Sequence, residues 1–279
     1  MTETKLQSLC EAVSKIEDGS VLGLGGNTLN RAPMAAVFEL IRQQKKGLRL
    51  VKTAGGMDID ALCLGDCAES VDAGFVSLET EFSLAQNYRA AVQSGAVRGN
   101  EHACYTVISA LRAASYGIPF MPVFGLKGTQ LTEAYDYFAE VTDPFSGEKL
   151  NAVKAIRPDW VIIHAHYADE HGNAYISEPM YEDVLLCKAA RHVIITAEHL
   201  VSSQRLRRQG TAQIPHFLVD AVVCAPEGAR PCACEGDYTI NRREIAEYKS
   251  LKTAEELLQY IAKTEKLRQP ARTGGGHYA

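Results

Sequence analysis

Val21-Leu22-Gly23-Leu24-Gly25-Gly26-Asn27-Thr28-Leu29-Asn30-Arg31-Ala32-Pro33-Met34 decides how this chain folds. A short apolar run ends in a glycine turn, and a helical pattern begins beyond it. Met34, Val37, Phe38 and Ile41 fall at i, i+3, i+4 and i+7, one face of a helix. Pro33 suits the first turn of that helix and Asn30 is placed to cap it. Gly47, after Lys45 and Lys46, suits its end. Strand, glycine turn and helix recur at once. Leu48–Lys52 reads as a strand, and Thr53-Ala54-Gly55-Gly56-Met57-Asp58-Ile59-Asp60 turns it into the next helix.

Outward from there the alternation continues. Val71–Ser77 reads as a strand, and helical patterns cover 81–94 and 103–116, stopped by Gly95 and Gly117. Trp160-Val161-Ile162-Ile163-His164, His192–Thr196 and Phe217–Cys224 are apolar at nearly every position, which predicts strands buried on both faces. Residues 241–266 read as helix. The expected fold is α/β: a doubly wound, mostly parallel sheet with helices on both faces. Residues 1–279 are read as a single domain, with 268–279 a disordered tail around Gly274-Gly275-Gly276. The least regular stretch, 125–150, is a lid, a hairpin or an excursion.

Composition narrows the functions. The 279 residues carry a formal net charge of −5, so no basic footprint for nucleic acid is present. No apolar run reaches the roughly 18 residues of a membrane span. The first residues are polar and lack a signal-peptide core, so a cytoplasmic location is expected. Eight cysteines, most in apolar surroundings, are expected to be reduced and buried. Cys224, Cys232 and Cys234 do not have zinc-site spacing.

The chemistry-bearing residues gather at strand ends. Parallel sheets bind ligands beyond the carboxyl ends of their strands, and two glycine turns after neighbouring strands would rim one crevice. Gly25, Gly26, Asn27, Asn30 and Arg31 in the first turn, Gly55 and Gly56 in the second, and Ser77 at the end of the third strand are the candidate ligand-binding residues. Backbone amides of such a turn, with a helix N-terminus behind them, favour an anion. A tight turn without ligand fits the same pattern. A dinucleotide fingerprint is excluded, because Thr28 stands where its last glycine belongs. His164, His166 and His171 with Asp169 and Glu170 invite a metal reading, but the spacing is that of a strand running into a turn, and no metal is expected. No serine-nucleophile elbow is present. Asp58, Asp60, Glu79, Glu81 and Glu101 near strand ends read as caps or solvated charges, so no catalytic residue is assigned.

Several blocks, in order, carry a resemblance. They are Leu24-Gly25-Gly26 with Asn30-Arg31-Ala32-Pro33-Met34-Ala35, then Ala54-Gly55-Gly56-Met57-Asp58-Ile59-Asp60. Leu111-Arg112-Ala113-Ala114-Ser115-Tyr116-Gly117-Ile118-Pro119-Phe120 and Asp143-Pro144-Phe145-Ser146-Gly147-Glu148 follow. Ala168-Asp169-Glu170-His171-Gly172-Asn173-Ala174 and Val219-Asp220-Ala221-Val222-Val223 complete the set. Together they resemble the A (α) subunit of family I coenzyme A transferases, most of all the glutaconate type. Where that family's first turn usually carries an aromatic, this chain has Asn27, which would face the crevice.

The resemblance implies covalent catalysis. A glutamate carboxylate attacks an acyl-CoA thioester, and coenzyme A then passes through a glutamyl thioester to a second acid. In the family that glutamate sits on the β subunit. The matching turn here, Lys52-Thr53-Ala54-Gly55-Gly56, has none. The resemblance therefore implies a β-subunit partner in a heterotetramer or larger assembly. It implies no cofactor beyond coenzyme A as substrate, and it makes Arg31 a candidate for a distal substrate carboxylate. The same scaffold carries acyl-CoA decarboxylases and hydrolases, which is the alternative. A ligand sensor or sugar-phosphate isomerase-like domain shares related sheets but not the ordered blocks.

Overall fold

A computed structural model describes residues 4–268. Seven parallel strands stand in the order Ala221–Cys224, His192–Leu200, Trp160–Ala168, Val21–Leu24, Leu48–Val51, Ala68–Ala73, Arg98–Glu101. An eighth strand, Ala174–Tyr175, runs antiparallel to Trp160–Ala168. The chain begins its sheet in the middle, walks out to Arg98–Glu101, then returns to lay Trp160–Ala168 on the other side of Val21–Leu24. Strand order reverses between those two, so the ligand crevice of such a sheet belongs at their carboxyl ends.

Alternation along each strand divides the core into two layers. Ile162 and Ile194 join Leu22, Leu24, Leu48, Leu50 and Val71 on one face. Val161, Ile163, Val193 and Ile195 lie on the other. The first layer is covered by Leu9–Ser14, Met34–Arg42, Met57–Leu64, Arg242–Ser250 and Ala254–Arg268, the second by Cys104–Ser115 and Asp183–Ala189. The doubly wound sheet expected from sequence is thus present.

Boundaries differ where tertiary contacts overrule local pattern. The strand expected over 71–77 is Ala68–Ala73, and Phe75–Val76 pairs instead with Ala54–Gly55. The break falls at Gly74, where a Cβ would lie 2.4 Å from the Cys104 nitrogen. The helix expected over 81–94 is two pieces, Glu79–Phe82 and Gln86–Ser94, parted at Ser83 with φ +67°. Of 217–224 only Ala221–Cys224 is strand, since His216–Leu218 forms a 3-10 turn. The expected 241–266 helix breaks before Ala254–Arg268, where Thr253 Oγ1 accepts from the Glu256 nitrogen and Glu256 Oε2 from the Thr253 nitrogen. That is a capping box, and it starts a new helix.

Asn30 does not cap the Met34–Arg42 helix. Pro33 holds the capping position, with no side-chain hydrogen bond. The irregular stretch at 125–150 belongs to an excursion, a three-stranded antiparallel sheet ordered Phe120–Val123, Lys149–Lys154, Phe138–Thr142. Its small core of Val123, Phe138 and Val153 packs on Ala110. Asp143 makes its hairpin turn by accepting from the Phe145 nitrogen and the Ser146 hydroxyl. Of the tail expected at 268–279, Arg268 ends the last helix, and 269–279 lie outside the described residues.

Candidate functional site

The Gly25–Arg31 turn sits at the carboxyl end of the first strand, at the switch point. Among the described residues all of its amides but that of Leu29 are already committed. Gly25 N–H donates to Ile162 O at 2.9 Å, Asn27 N–H to Asn30 O at 2.9 Å, Thr28 N–H to Ala54 O at 3.0 Å and Arg31 N–H to Ala233 O at 2.7 Å. Gly26 N–H donates to Asp183 Oδ1 at 2.8 Å. The expected anion is thus a carboxylate of the protein itself, and these amides are no oxyanion hole. Gly26 has φ +69°, and a Cβ on it would lie 2.5 Å from the carbonyl oxygens of Asn30 and Arg31.

Arg31 also departs from expectation. It is fully buried. Nη1 donates to Asp183 Oδ2 at 2.6 Å and to His164 O at 3.2 Å, and Nη2 donates to Pro179 O at 2.6 Å. A guanidinium with both ends engaged inside the fold does not reach a substrate carboxylate. It ties the turn to the loop before the Asp183–Ala189 helix. Asp183 itself is fully buried, its two oxygens divided between Arg31 and Gly26.

The second turn is built in the same manner. Lys52, buried, donates to Asp58 Oδ2 at 2.5 Å and to Gly25 O at 2.7 Å, so one ammonium joins both turns. Gly56 N–H donates to Asp58 Oδ1 at 3.0 Å, and a Cβ on Gly56 would lie 2.3 Å from Thr28 O. The two turns do press together as the sequence implied. Gly55 O accepts from the Ser77 nitrogen at 3.1 Å. Ser77 is half-buried, and its hydroxyl accepts from the Glu79 nitrogen at 3.2 Å.

A cavity of about 600 Å³ opens beside the first turn. Thr28 and Asn30 form one wall, and Glu79, Tyr181, Glu235 and Arg242 face them. Asn30 donates to the Tyr181 hydroxyl at 3.1 Å and accepts from the Glu235 nitrogen at 3.2 Å, so it braces the cavity mouth. Asn27 is half-buried and is not among the lining residues. A second cavity, of about 670 Å³, is lined by Asp169, His171, Arg207 and His216 and touches neither glycine turn.

Backbone strain makes the first cavity the candidate site. Nine described non-glycine residues have positive φ, and three of them, Thr28 (+42°), Glu79 (+62°) and Tyr181 (+50°), line this cavity. Arg31 (+54°) lies at the end of the same turn. Such conformations cost about 1–3 kcal/mol each and persist where the surroundings over-determine them, commonly at functional sites. A β-branched residue such as Thr28 is the clearest outlier.

Below the cavity lies a buried polar chain. His164 Nδ1 meets Thr196 Oγ1 at 2.9 Å and Nε2 meets Glu198 Oε1 at 2.6 Å. Tyr238, on the cavity wall, donates to the same Glu198 oxygen, and the Glu227 nitrogen donates to Oε2 at 2.6 Å. Burial works to raise the Glu198 carboxyl, but hydrogen bonding and charge from His164, with Tyr238 and Glu227, hold it below its usual value. The ligand-type atoms of His164, Glu198 and Cys234 lie within 4.8 Å of one another, as do those of His166, Cys234 and Asp237. Those residues could meet an ion only by giving up these bonds and the 2.8 Å bond from His166 Nε2 to Glu235 O.

Glu182, the residue before the Asp183–Ala189 helix, has its carboxyl pushed up by burial, and Asp183 adds to the shift. All eight cysteines are free, and burial pushes the half-buried Cys104 thiol up. The sequence reading missed Asp183, which opens a helix, and Glu198, Tyr181, Glu235 and Tyr238, which lie in irregular stretches or on a strand whose partners are remote in sequence. Glu79 was noticed only as one carboxylate among several.

The family model described as Coenzyme A transferase matches residues 6–225. The A-type subunit of glutaconate CoA-transferase from Acidaminococcus fermentans is 30% identical over 271 residues, covering 91% of this chain and 85% of that protein. A crystal structure of that transferase superposes with a TM-score of 0.86 at 29% identity, over 93% of this chain and 88% of the other. The decarboxylase AibA/AibB superposes with a TM-score of 0.85 at 34% identity, over 95% of this chain and all of the other. A protein of Archaeoglobus fulgidus is 35% identical over 90% of this chain, which spans 57% of that protein's length. With the glycine turns at the switch point and a match over most of its length, this chain belongs to the coenzyme A transferase family.

Proposed function

We propose that the chain is the A-type member of a two-chain CoA transferase, moving coenzyme A from a short acyl-CoA to a carboxylic acid. The supporting observation is the second turn. Thr53 stands at the carboxyl end of Leu48–Val51, next in sequence to Lys52 of the buried Lys52–Asp58 ion pair. No glutamate occupies that turn, so the covalent step falls to a glutamate of the B-type partner.

The chemistry then balances as follows. A glutamate oxygen attacks the thioester carbon, and the C–S electrons leave with coenzyme A as thiolate. The thiolate attacks the glutamyl carbonyl of the resulting anhydride and frees the first acid. The second acid's carboxylate attacks the glutamyl thioester, and the thiolate returns to its acyl carbon, regenerating the glutamate. No further cofactor is needed. This chain supplies one wall, with Asn30, Tyr181 and Glu79 around the acyl end. We place the complex, a heterotetramer or larger, in the cytoplasm with its acyl-CoA substrates. Among the described residues no helix is long and apolar enough to cross a membrane.

The likeness to AibA/AibB supports a second reading, a decarboxylase or hydrolase on the same wall. Co-purification with the B-type chain and an acyl-exchange assay decide. Transfer should appear only with both chains and vanish when the partner's glutamate is changed to glutamine. Turnover by this chain alone, abolished by changing one of its own carboxylates, would sink the proposal. Carbon dioxide release without acyl exchange would support the second reading.

A further inference from the structure

The cavity beside the first turn carries a charge pattern that bears on substrate choice. Three carboxylates line it: Glu79, Glu235 and Asp237. The one guanidinium on its wall, Arg242, is held by Glu81 through both Nε and Nη2. Arg31 and Lys52, the cations at the turn itself, are buried against Asp183 and Asp58. His199 lies 3.4 Å from Asp237 and is not on the cavity wall. A substrate carboxylate entering here meets three like charges and one cation, Arg242, already paired with Glu81, a balance that disfavours an anionic partner.

The backbone of Glu79 is held beside the cavity. Glu79 opens the short helical piece Glu79–Phe82, whose segment is closed at its neck by the Ser77–Leu84 bridge and anchored by buried Leu78 and Phe82. It has φ +62°, and its carboxylate has no hydrogen bond or ion pair among the described residues. The anchored backbone keeps this exposed carboxylate within side-chain reach of the cavity, where no described cation pairs with it.

We infer that Glu79 and Glu235 set the specificity of this chain, favouring acyl groups whose distal end is uncharged over dicarboxylic ones such as glutaconyl. This deepens the transferase reading and rests on it for the word substrate, but not for the binding preference itself.

The test therefore measures binding as well as turnover. Butyryl-CoA and glutaryl-CoA share the coenzyme A portion and differ in the distal carboxylate. Titrated calorimetrically into the complex of both chains, butyryl-CoA should bind at least about tenfold tighter, and kcat/KM should follow the same order. The preference should shrink with added salt, since exposed charges are screened within about 10 Å at 0.1 M. Glu79→Gln and Glu235→Gln should each narrow the ratio several-fold, while Glu255→Gln, outside the cavity, should not change it. Equal or tighter binding of glutaryl-CoA overturns the inference, as does a ratio indifferent to both substitutions. A preserved binding ratio without acyl transfer leaves the inference standing and removes the transferase reading.

Discussion

Replacing Arg31 by Met tests whether this arginine is a strut or a substrate contact. Its guanidinium and the Asp183 carboxylate are 2.6 Å apart, each 1% exposed in the side chain. Met fills much of the volume but removes the charge. Asp183 then keeps one hydrogen bond among the described residues, from Gly26 N–H, and the carbonyls of His164 and Pro179 lose their donors. Breaking one side of a buried pair costs about 3–5 kcal/mol. For a chain near this size, about 2–4 °C of melting temperature accompanies each kcal/mol, so a fall of roughly 6–20 °C is expected. Denaturant titration should show a lower midpoint with an unchanged slope. Arg31→Met combined with Asp183→Leu should recover part of the loss. What remains is set by the orphaned Gly26 N–H, about 1–3 kcal/mol. An Arg31→Met protein within about 1 kcal/mol of the parent, with KM raised only for dicarboxylic substrates, would refute the reasoning and return Arg31 to the ligand.

Three further outcomes follow from the same geometry. Gly26→Val should lower melting temperature and turnover together, because its Cβ meets two carbonyl oxygens and its N–H serves Asp183; a loss of turnover at full stability would instead make the turn an oxyanion site. Lys52→Met should destabilise by about 3–5 kcal/mol by stranding buried Asp58, measured by denaturant titration, and a neutral result would mean that Asp58 finds another donor. Glu182→Gln should stabilise the chain at neutral pH: burial raises the folded carboxyl above its usual 4.5, so the folded state holds its proton longer and native stability falls as pH rises from 4.5 through that raised value. The gain should disappear below that window, and a gain that persists at low pH would mean that the effect is not the carboxyl's ionisation.

The sheet was legible because burial on both faces writes itself into Trp160–His164 and His192–Thr196 as unbroken apolar runs. The crevice was legible because two glycine turns follow neighbouring strands. What escaped was set by contacts remote in sequence. Arg31 and Asp183 are 152 positions apart, and no local pattern announces that a buried acid waits for that guanidinium. An arginine on a turn beside a presumed substrate therefore read as a ligand contact. Gly74 breaks its strand only because the Cys104 helix starts against it. The Thr253-x-x-Glu256 capping box was visible in the sequence, but the surrounding helical periodicity concealed it.

Strain and buried charge meet at one turn, and their combination has a consequence that can be measured. Thr28, Arg31 and Tyr181 hold left-handed conformations worth about 1–3 kcal/mol of strain each. Such a turn relaxes unless something over-determines it. Arg31 with Asp183 and Lys52 with Gly25 and Asp58 do so from two sides. A buried ion pair adds little net stability, so the hypothesis is that these two pairs specify conformation more than they stabilise the fold. A wall held this way selects among ligands by its fixed charges and does not reshape itself around them. Rigidity of that kind predicts that the amides of Gly26 and Thr28, bonded to Asp183 and Ala54, exchange with solvent only through global unfolding. Native-state hydrogen exchange should give both the same opening free energy as the central strand amides. Opening several kcal/mol easier than the strands would show a turn that moves, and the account of a fixed wall would have to be abandoned.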